Sequence, residues 1–382
     1  MPDNDASRAI IVGAGIGGLA AAVALERAGQ RVVVLEQASE LREVGFALLL
    51  AGNAVRALRL LGVADRVLSQ AHAPTTGELR ALDGRVLKRI SIASLVAAIG
   101  EPAVCALRPV VHGALLESLT RTELRTSARV VGITQTEGGV ELRLDDGECV
   151  RGAFAVGADG IHSTIRRALH GDELRASGLG AYRGLARGVT GADSDAQYFG
   201  RGIEAGVARA GRDSIYWYVS AKRAAVRPNT PLSQAALELL RGADPELIRL
   251  VEATEASDLR YDELFDRKPL ASWRKRRITL LGDAAHPMLP HAGQGAAQAL
   301  EDAVVLGRCL AADSSSDAAL ARYEALRIPR TTKIVGVSRL NARVGSLQGA
   351  LATRLRDLVL QYGPAAMMEK QLVSLTQVQL EV

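Results

Sequence analysis

Aromatic residues are scarce in this 382-residue chain, making up 3% of it. Cysteine is scarce too: Cys105, Cys149 and Cys309 are odd in number, far apart, and in no Cys-x-x-Cys pair. The chain therefore predicts neither a disulfide framework nor a zinc site, and its cysteine usage fits a reducing cytoplasm. The sequence also lacks the Gly-x-Ser-x-Gly and His-Glu-x-x-His motifs, which argues against hydrolase and metalloenzyme functions.

Long apolar runs are missing as well. The most apolar stretch, residues 9–25, is rich in glycine and alanine and falls short of the about 20 residues that a membrane span needs. The formal net charge is +5, from 47 basic and 42 acidic residues. The densest basic run, residues 274–277, leads straight into an apolar strand. We therefore predict a cytoplasmic protein with neither a membrane nor a nucleic-acid partner.

The N-terminal segment carries the first chemical signal. Residues 9–36 predict a strand, a glycine-rich turn, a helix and a second strand that ends at an acidic residue. Gly13 would permit the tight turn, Gly15 would let backbone amides approach a pyrophosphate, and Gly18 would let the helix pack closely. Glu36 would accept hydrogen bonds from a ribose diol. This unit predicts a dinucleotide site but leaves NAD and FAD open.

A second acidic turn follows in the middle of the chain. Residues 140–144 and 149–156 predict a hairpin whose second strand runs on into Gly157-Ala-Asp159-Gly160. A helix follows, with Ser163 as a predicted N-cap. On its own, this stretch is explained equally well by an ordinary strand-to-helix turn.

The third signal lies late in the chain, where residues 278–281 predict another strand. Asp283 then follows, in a position to bond the hydroxyls of a sugar-like chain. The amides of Gly293-Gln294-Gly295 open a helix predicted from about residue 296 to residue 310. The positive end of this helix dipole would stabilise an electron-rich ring that becomes negative, as a reduced flavin does.

Together the three segments resemble one family. GAGIGGLAAAVALERAGQRVVVLEQ, GADGIHSTIR and GDAAHPMLPHAGQG are similar to the signature regions of class A flavoprotein monooxygenases, the group of para-hydroxybenzoate and salicylate hydroxylases. The resemblance runs from Ile10 to about Asp302. It implies bound FAD, NAD(P)H as a transient co-substrate, and hydroxylation of a phenolic small molecule by O2 through a C4a-hydroperoxyflavin. No second nicotinamide-binding domain is predicted, which agrees with the family.

The resemblance also implies roles for individual residues. Pro290 would lie over the flavin ring, and His291 is a candidate catalytic base, although a lone histidine is more often structural. Arg42 would hold a phosphate, or is a surface arginine. The cofactor-binding residues implied are Gly13, Gly15, Gly18, Glu36, Arg42, Arg108, Asp159, Asp283, Gly293, Gln294 and Gly295.

The chain departs from the family pattern near the expected ring. The family has Gly-x-Gly-Ile and then Pro-Asn where this chain has Gly45-Phe46-Ala47-Leu48 and Ala51-Gly52-Asn53, and Ala297 stands where asparagine is common. Phe46, in this region, is either a substrate-facing or a core residue. These differences concern the position of the flavin and the entry of substrate more than the identity of the cofactor.

We predict an α/β fold with a discontinuous Rossmann-like FAD-binding domain, an antiparallel substrate-binding sheet and C-terminal helices. Alternating positions in the sheet make about half of its aromatic residues pocket candidates. The substrate candidates are Phe46, Tyr198, Tyr216 and Tyr218. The predicted divisions are 1–76, 103–177 and 267–320 for FAD binding, 77–102 and 178–266 for the sheet, and 321–382 for the helices.

Other functions stay open on the sequence alone. An FAD-dependent reductase of an unsaturated isoprenoid-like substrate uses a similar scaffold, Baeyer–Villiger oxygenation uses the same peroxide, and a flavin-binding regulator would need no turnover. A flavin-dependent halogenase is disfavoured because the Gly-Trp-x-Trp-x-Ile-Pro segment is absent. The assembly expected is a monomer or a homodimer.

Overall fold

The computed structural model describes residues 7–41, 45–189, 195–223, 230–313, 315–378 and 380. Arg42, one of the predicted phosphate contacts, lies outside the described residues. Up to residue 170 the elements are β1 (Ala9–Val12), α1 (Ile16–Arg27), β2 (Val32–Leu35), β3 (Ala47–Leu50), α2 (Gly52–Leu60), α3 (Ala64–Leu68), β4 (Thr76–Ala81), β5 (Val86–Ser91), α4 (Ile92–Ile99), β6 (Val104–Leu107), α5 (Arg108–Leu116), β7 (Glu123–Arg125), β8 (Val130–Gln135), β9 (Val140–Leu144), β10 (Cys149–Gly152), β11 (Phe154–Gly157) and α6 (Thr164–His170).

The remaining elements form the second sheet and the C-terminal helices. They are β12 (Arg175–Arg187), β13 (Asp195–Phe199), β14 (Ile203–Arg209), β15 (Ser214–Lys222), α7 (Leu232–Leu239), α8 (Pro245–Glu252), β16 (Leu259–Asp266), β17 (Ile278–Leu280), α9 (Gly295–Ala312), α10 (Ser316–Gly345), α11 (Ala350–Tyr362) and α12 (Ala365–Thr376). Single 3-10 turns occupy Ala256–Asp258, Gly282–Ala284 and Pro290–Ala292.

A five-stranded parallel sheet, in the order β17-β11-β1-β2-β7, forms the centre of the largest core. Strands β1, β2 and β11 are buried at every position and consist of alanine, valine, isoleucine, leucine and phenylalanine, with one glycine. Such continuous apolar strands fit a parallel sheet covered on both faces. Helices α1 and α9 pack against each other beside the sheet. Because the three predicted motifs follow the carboxyl ends of β1, β11 and β17, all three lie at one edge of the parallel sheet.

The predicted hairpin in the middle of the chain needs one correction. Its second strand does not run on continuously: β10 pairs antiparallel with β9, whereas β11 joins the parallel sheet beside β1. The break falls at Ala153. A side chain at Gly152 would lie 2.6 Å from the carbonyl oxygen of Arg8, so the chain passes too close to β1 for a larger residue there.

The second large sheet has seven strands in the order β16-β12-β15-β14-β13-β4-β5. It is antiparallel except at the parallel pair β13 and β4. Its outer face packs against α7 and α8 through buried side chains that include Trp217 and Tyr182. Its inner face carries Tyr216 and Tyr218 and packs towards the β3–β6 pair.

The C-terminal helices pack against both sheets. Helix α10, with Pro329 inside it, packs along α9, while α11 contacts β5 and α12 contacts α4. The predicted fold class is confirmed: a parallel α/β unit, a largely antiparallel sheet, and C-terminal helices. The exact domain boundaries stay a prediction. Among the described residues, no helix combines the length and apolarity that crossing a membrane requires.

Candidate active site

The glycine-rich turn between β1 and α1 has the geometry of an anion site. Gly13 has a φ of +103°, and a side chain there would begin 2.5 Å from the carbonyl oxygen of Ala158. A side chain at Gly18 would begin 1.9 Å from the carbonyl oxygen of Gly13. At Gly15, by contrast, no described atom lies within 4 Å of that position. Two glycines are thus needed for packing, and the third leaves open space in front of the helix.

The first turn of α1 faces this open space without a side-chain cap among the described residues. Its free amides and the positive end of the helix dipole can therefore bind a phosphate oxygen. Glu36 lies beside the turn, where Oε2 accepts a hydrogen bond from the backbone N of Ala14 at 2.8 Å. Oε1 accepts one from the backbone N of Ala38 at 2.9 Å. The residues present fit the pyrophosphate and ribose of a dinucleotide.

Asp159 lies at the end of β11 and caps the next helix. Its Oδ2 accepts hydrogen bonds from the backbone N atoms of Thr164 at 2.7 Å and Ile165 at 3.2 Å, and its Oδ1 accepts one from the Ser163 hydroxyl. Burial raises the pKa of Asp159, opposed by these bonds. Because Ala158 touches Gly13, this turn also supports the glycine-rich turn.

The flavin loop, residues 282–294, connects β17 to α9. Asp283 is accessible to solvent, yet desolvation by the surrounding protein raises the pKa of its carboxyl, against the nearby charges of His286 and Arg108. Arg108, at the start of α5, packs against Gly45: a side chain at Gly45 would begin 2.9 Å from Arg108 Cδ, and the φ of +127° at Gly45 would strain any other residue there. Because the charge of Arg108 acts on Asp283, these two predicted cofactor-binding residues lie near each other.

Open space also faces the start of α9. Pro290 is exposed, Gly293 has a φ of +61°, and no described atom lies within 4 Å of a side-chain position at Gly293 or Gly295. No described side chain caps α9. The side chain of Gln294 is buried, and its Oε1 accepts a hydrogen bond from Asn53 at 2.9 Å. Any contact from Gln294 to a cofactor must therefore come from its backbone, as predicted.

Buried ion pairs hold the flavin loop, and the sequence did not reveal them. Asp302 accepts hydrogen bonds from the backbone N of Gly282 at 3.0 Å, from His286 Nε2 at 2.6 Å and from Arg327 Nε at 2.7 Å. Burial opposes the ionisation of Asp302, but the charges of His286 and Arg327 hold its pKa below the ordinary value. Arg327 also bonds Glu301 at 2.6 Å.

Arg166 fixes the same loop from the other side. Its side chain is fully buried and donates to the carbonyl oxygens of Ala284 at 3.0 Å and Ala285 at 2.6 Å, while two bonds of 2.8 Å join it to Asp172. The middle motif therefore orients the third. These partners are distant in sequence, and the sequence pattern gave no signal for the contacts.

Phe46 and Tyr216 bring the β3–β6 pair and the inner face together. Both are half-buried and pack against a small cluster of Cys105, Leu185 and Ala208. Tyr218 is two residues further along the same face, with its ring centroid 6.4 Å from that of Tyr216. The structure thus places three of the four substrate candidates in one region.

Tyr198 corrects the expectation for the fourth candidate. It is fully buried on the outer face, among the side chains that pack against α7 and α8. Its hydroxyl donates to Asp244 Oδ2 at 3.3 Å. The alternation of the sheet therefore separates Tyr198 from the inner-face tyrosines, and Tyr198 does not line the inner face.

His291 meets the inner face at Glu204. The distance from His291 Nε2 to Glu204 Oε2 is 3.9 Å, and both side chains are 3% exposed. Burial, together with the charge of Arg183, lowers the pKa of His291 to about 4, so the imidazole is neutral at neutral pH. Burial raises the pKa of Glu204 to about 7, although hydrogen bonds from Gln197 and Tyr218 lower it. His291 stays a candidate base, and Glu204 is the group beside it that titrates near neutrality.

Two other histidines of the motifs have structural partners. His112 Nε2 lies 2.9 Å from the carbonyl oxygen of Ala14 in the glycine-rich turn. His286 bonds Asp302, as described above. Both support loops around the site.

Comparison with known proteins agrees with this geometry. The family model described as "FAD binding domain" matches residues 6–338. The chain is 34% identical to aurachin C monooxygenase/isomerase of Stigmatella aurantiaca, covering 92% of this chain and 93% of that one. It is 33% identical to 3-hydroxybenzoate 6-hydroxylase 1 of Aquipseudomonas alcaligenes, with 86% and 87% covered. The chain belongs to the class A flavoprotein monooxygenases.

A solved structure supports the same conclusion about the cofactor. A variant of HpxO from Klebsiella pneumoniae, complexed with FAD, superposes with a TM-score of 0.91 at 25% identity, covering 97% of this chain and 98% of that chain. The protein is therefore an FAD-dependent monooxygenase with NAD(P)H as electron donor. The predicted family, cofactor and reaction class are confirmed.

Proposed function

We propose that this monooxygenase hydroxylates a phenolic ring held between the flavin loop and the inner face of the seven-stranded sheet. One observation carries the proposal: the half-buried Tyr216 and Tyr218 share one face, and His291 of the flavin loop lies against that face at Glu204. Phe46 closes the same region from the β3–β6 pair. An aromatic substrate gains from such a surface because rings pack well against rings.

The chain's own residues have distinct tasks in this proposal. The amides behind Gly15 would bind the FAD pyrophosphate, Glu36 the ribose, and Asp283 with Arg108 the chain that joins phosphate to ring. The amides that start α9 would stabilise the negative charge of the reduced ring. When bound, FAD accepts hydride from NAD(P)H and activates O2 for transfer to the substrate.

The protein also excludes water from the reacting ring. Leu289 packs against Ala181 of the sheet and Ala342 of α10, so the flavin loop and the sheet are closed against each other on that side. Such closure limits the loss of activated oxygen to solvent. Pro290, exposed beside this apolar contact, would then face the ring.

The proposal includes the organisation of the chain. We propose the three divisions predicted from the sequence, a cytoplasmic location, and a monomeric or homodimeric assembly. Sedimentation velocity of the FAD-loaded protein distinguishes one copy from two. The choice between NADH and NADPH follows from the rates at which each reduces the bound flavin.

The reaction is tested with isotopic oxygen. The FAD-loaded protein is mixed with NADH or NADPH and a panel of phenols under 18O2, and the products are analysed by mass spectrometry. We expect one labelled oxygen on the aromatic ring of a product. A product with labelled oxygen inserted next to a carbonyl would indicate Baeyer–Villiger chemistry instead. If NAD(P)H is oxidised, an added isoprenoid becomes saturated and no product carries label, the protein is a reductase.

A further inference from the structure

Helix α11 turns apolar side chains to solvent. Five large apolar residues of this helix are between 44% and 82% exposed: Leu351, Leu355, Leu358, Val359 and Tyr362. Their spacing of three or four residues places them on one side of the helix, and we call this surface the α11 face. In a surface helix the apolar stripe normally faces the core, so the polarity of α11 is reversed. An exposed apolar surface of this kind marks an interaction site.

Polar contacts hold α11 to the protein on its other side. The buried positions of the helix are Thr353 and Arg356. Arg356 Nη1 donates a hydrogen bond to the carbonyl oxygen of Gly200 at 3.0 Å, and its guanidinium carbon lies 5.2 Å from the centre of the Phe199 ring. Because the α11 face points away from these contacts, its apolar side chains do not serve the attachment of the helix to the seven-stranded sheet.

The charges of α11 do not favour a lipid surface as its partner. Helices that lie on anionic membranes carry clusters of lysine and arginine beside the apolar stripe. Helix α11 has two basic residues, Arg354 and Arg356, and Arg356 is buried, with its Nη2 2.8 Å from Asp357 Oδ1. Arg354 is therefore the basic residue that α11 presents to solvent. A single arginine gives little attraction to lipid headgroups.

The spacing of the α11 face fits a second copy of the same helix. Leu351, Leu355, Leu358 and Tyr362 are separated by four, three and four residues, which is the spacing of a coiled-coil seam. Two antiparallel copies related by a two-fold axis would place Leu355 against Leu358 of the partner subunit. The same arrangement would place Leu351 against Tyr362 of the partner subunit. The face is thus complementary to itself, as a two-fold interface requires.

The charge on this face does not oppose the pairing. In the antiparallel arrangement, Arg354 would lie beside Val359 of the partner subunit and not beside a second arginine. Its apolar stem can pack there while its guanidinium stays in water.

We propose that the protein forms a two-fold homodimer through the α11 face, with the two α11 helices antiparallel. Met367, the third residue of α12, is 70% exposed and extends the exposed apolar segment beyond α11. A standard interface buries about 800 Å² per subunit, more than one helix face supplies, so the dimer should be weak, with a Kd on the order of 10 μM. This proposal selects the homodimer from the two assemblies named above and assigns its interface. It does not depend on the reaction, which the labelled-oxygen experiment tests separately.

Paired charge substitutions test both the surface and the direction of the helices. In a homodimer, Leu355→Glu and Leu358→Lys would each place a charge against a leucine, so each should raise the dimer Kd at least about tenfold. A mixture of the two variants can form a heterodimer in which the new carboxylate faces the new ammonium group in one layer and two leucines remain in the other. The mixture should therefore dimerise more tightly than either variant alone. Both positions are exposed, so both variants should fold, and their FAD content checks this.

Sedimentation velocity of the FAD-loaded proteins from about 1 μM to about 200 μM measures the dimer Kd. Leu326→Glu is the matched control, because Leu326 is 45% exposed, close to the 44% of Leu358, but lies in α10. Its dimer Kd should equal that of wild type. A wild-type protein that stays monomeric at the highest concentration, or a dimer that persists in both α11 variants, would overturn the proposal.

Two other results would also overturn it. If each α11 variant loses the dimer and their mixture does not regain it, the two helices do not pair antiparallel in this register. Flotation with vesicles of equimolar phosphatidylcholine and phosphatidylserine tests the lipid alternative, and we expect no binding. A monomeric wild type that binds these vesicles, with binding lost in Leu355→Glu, would assign the α11 face to lipid.

Discussion

At the scale of single residues, the glycines of the first turn divide into two kinds. A side chain at Gly18 would begin 1.9 Å from the carbonyl of Gly13, whereas the same position at Gly15 faces open space. The sequence predicted both roles, because the turn, the helix and the acidic residue follow one another in order. It could not predict Asp302 or Arg166 as supports, since their partners are set by tertiary packing.

The two glycines should respond differently to alanine. Gly18→Ala should destabilise the FAD-free protein by about 3 kcal/mol, because the new methyl group overlaps a backbone oxygen. Gly15→Ala should leave its stability within about 0.5 kcal/mol but weaken FAD binding at least about tenfold, by blocking the approach to the helix amides. Urea unfolding and titration with FAD measure the two effects. Normal FAD affinity in Gly15→Ala would remove this turn from the cofactor site.

Glu204 provides a pH-dependent test of stability. Its pKa is raised from 4.5 to about 7, so the folded state binds the proton more tightly than the unfolded state does. The associated stability is fully present below about pH 4.5 and is lost as the pH rises to about 7. From pH 5 to pH 8 the free energy of unfolding of Glu204→Gln, which cannot ionise, should therefore rise relative to that of wild type by about 2 to 3 kcal/mol.

Urea unfolding of wild type and Glu204→Gln at pH 5 and at pH 8 measures this difference in the free energy of unfolding. Asp258→Asn serves as the control, because Asp258 forms a peripheral ion pair with the largely exposed Arg187. Equal pH dependence in wild type and Glu204→Gln would show that Glu204 does not titrate in this range.

At the scale of elements, helix α9 depends on its neighbour α10. Arg327 of α10 is 2% exposed and bonds both Glu301 and Asp302 of α9, and Asp302 in turn holds Gly282 and His286 of the flavin loop. The sequence predicted both helices from their composition. It gave no sign that an arginine 25 residues beyond Asp302 is its partner.

Asp302→Asn should therefore destabilise the protein by about 3 kcal/mol, because it leaves the buried Arg327 with less compensating charge. It should also loosen the flavin loop and increase the rate of FAD loss. Asp317→Asn is the control, since Asp317 pairs with Arg274 at the surface and its loss should cost less than about 0.5 kcal/mol. Chemical denaturation and the fluorescence of released FAD give the comparison. Similar losses of stability and of FAD in both variants would contradict the role of Asp302 in holding the flavin loop.

The strand that carries Tyr216, Trp217 and Tyr218 shows where element-level prediction stops. Alternation predicted that such residues divide between two faces, and they do: Trp217 enters the outer core while the tyrosines lie on the inner face. Which face is which depends on α7 and α8, which arrive later in the chain. Tyr198 was misassigned for that reason, since nothing local to β13 indicates where those helices pack.

At the scale of the whole molecule, the site is assembled from parts that are far apart in sequence. The parallel sheet supplies three turns at one edge, and the seven-stranded sheet supplies its inner face. Helix α10 contacts the flavin loop from a third side. The order of the motifs in the sequence predicted the three turns of the parallel sheet and the family. The contact between the inner face of the seven-stranded sheet and the flavin loop depends on tertiary packing, so the order of the motifs did not reveal it.

FAD should therefore stabilise the molecule as a whole. At a free FAD concentration of about 1,000 times Kd, the free energy of unfolding should rise by about 4 kcal/mol, because only the folded chain assembles all three turns. Thermal unfolding across a series of FAD concentrations measures this. In Gly15→Ala, whose FAD binding is at least about tenfold weaker, the increase at the same concentrations should be smaller by at least about 1.4 kcal/mol. An equal increase in both proteins would place FAD elsewhere.

The most direct measurement is a crystal structure of the protein with FAD and resorcinol bound. The account predicts the pyrophosphate at the start of α1, the flavin ring against residues 293–295, and resorcinol between that ring and the inner face that carries Tyr216 and Tyr218. Resorcinol bound away from the inner face, or a flavin ring that does not contact the start of α9, would contradict it.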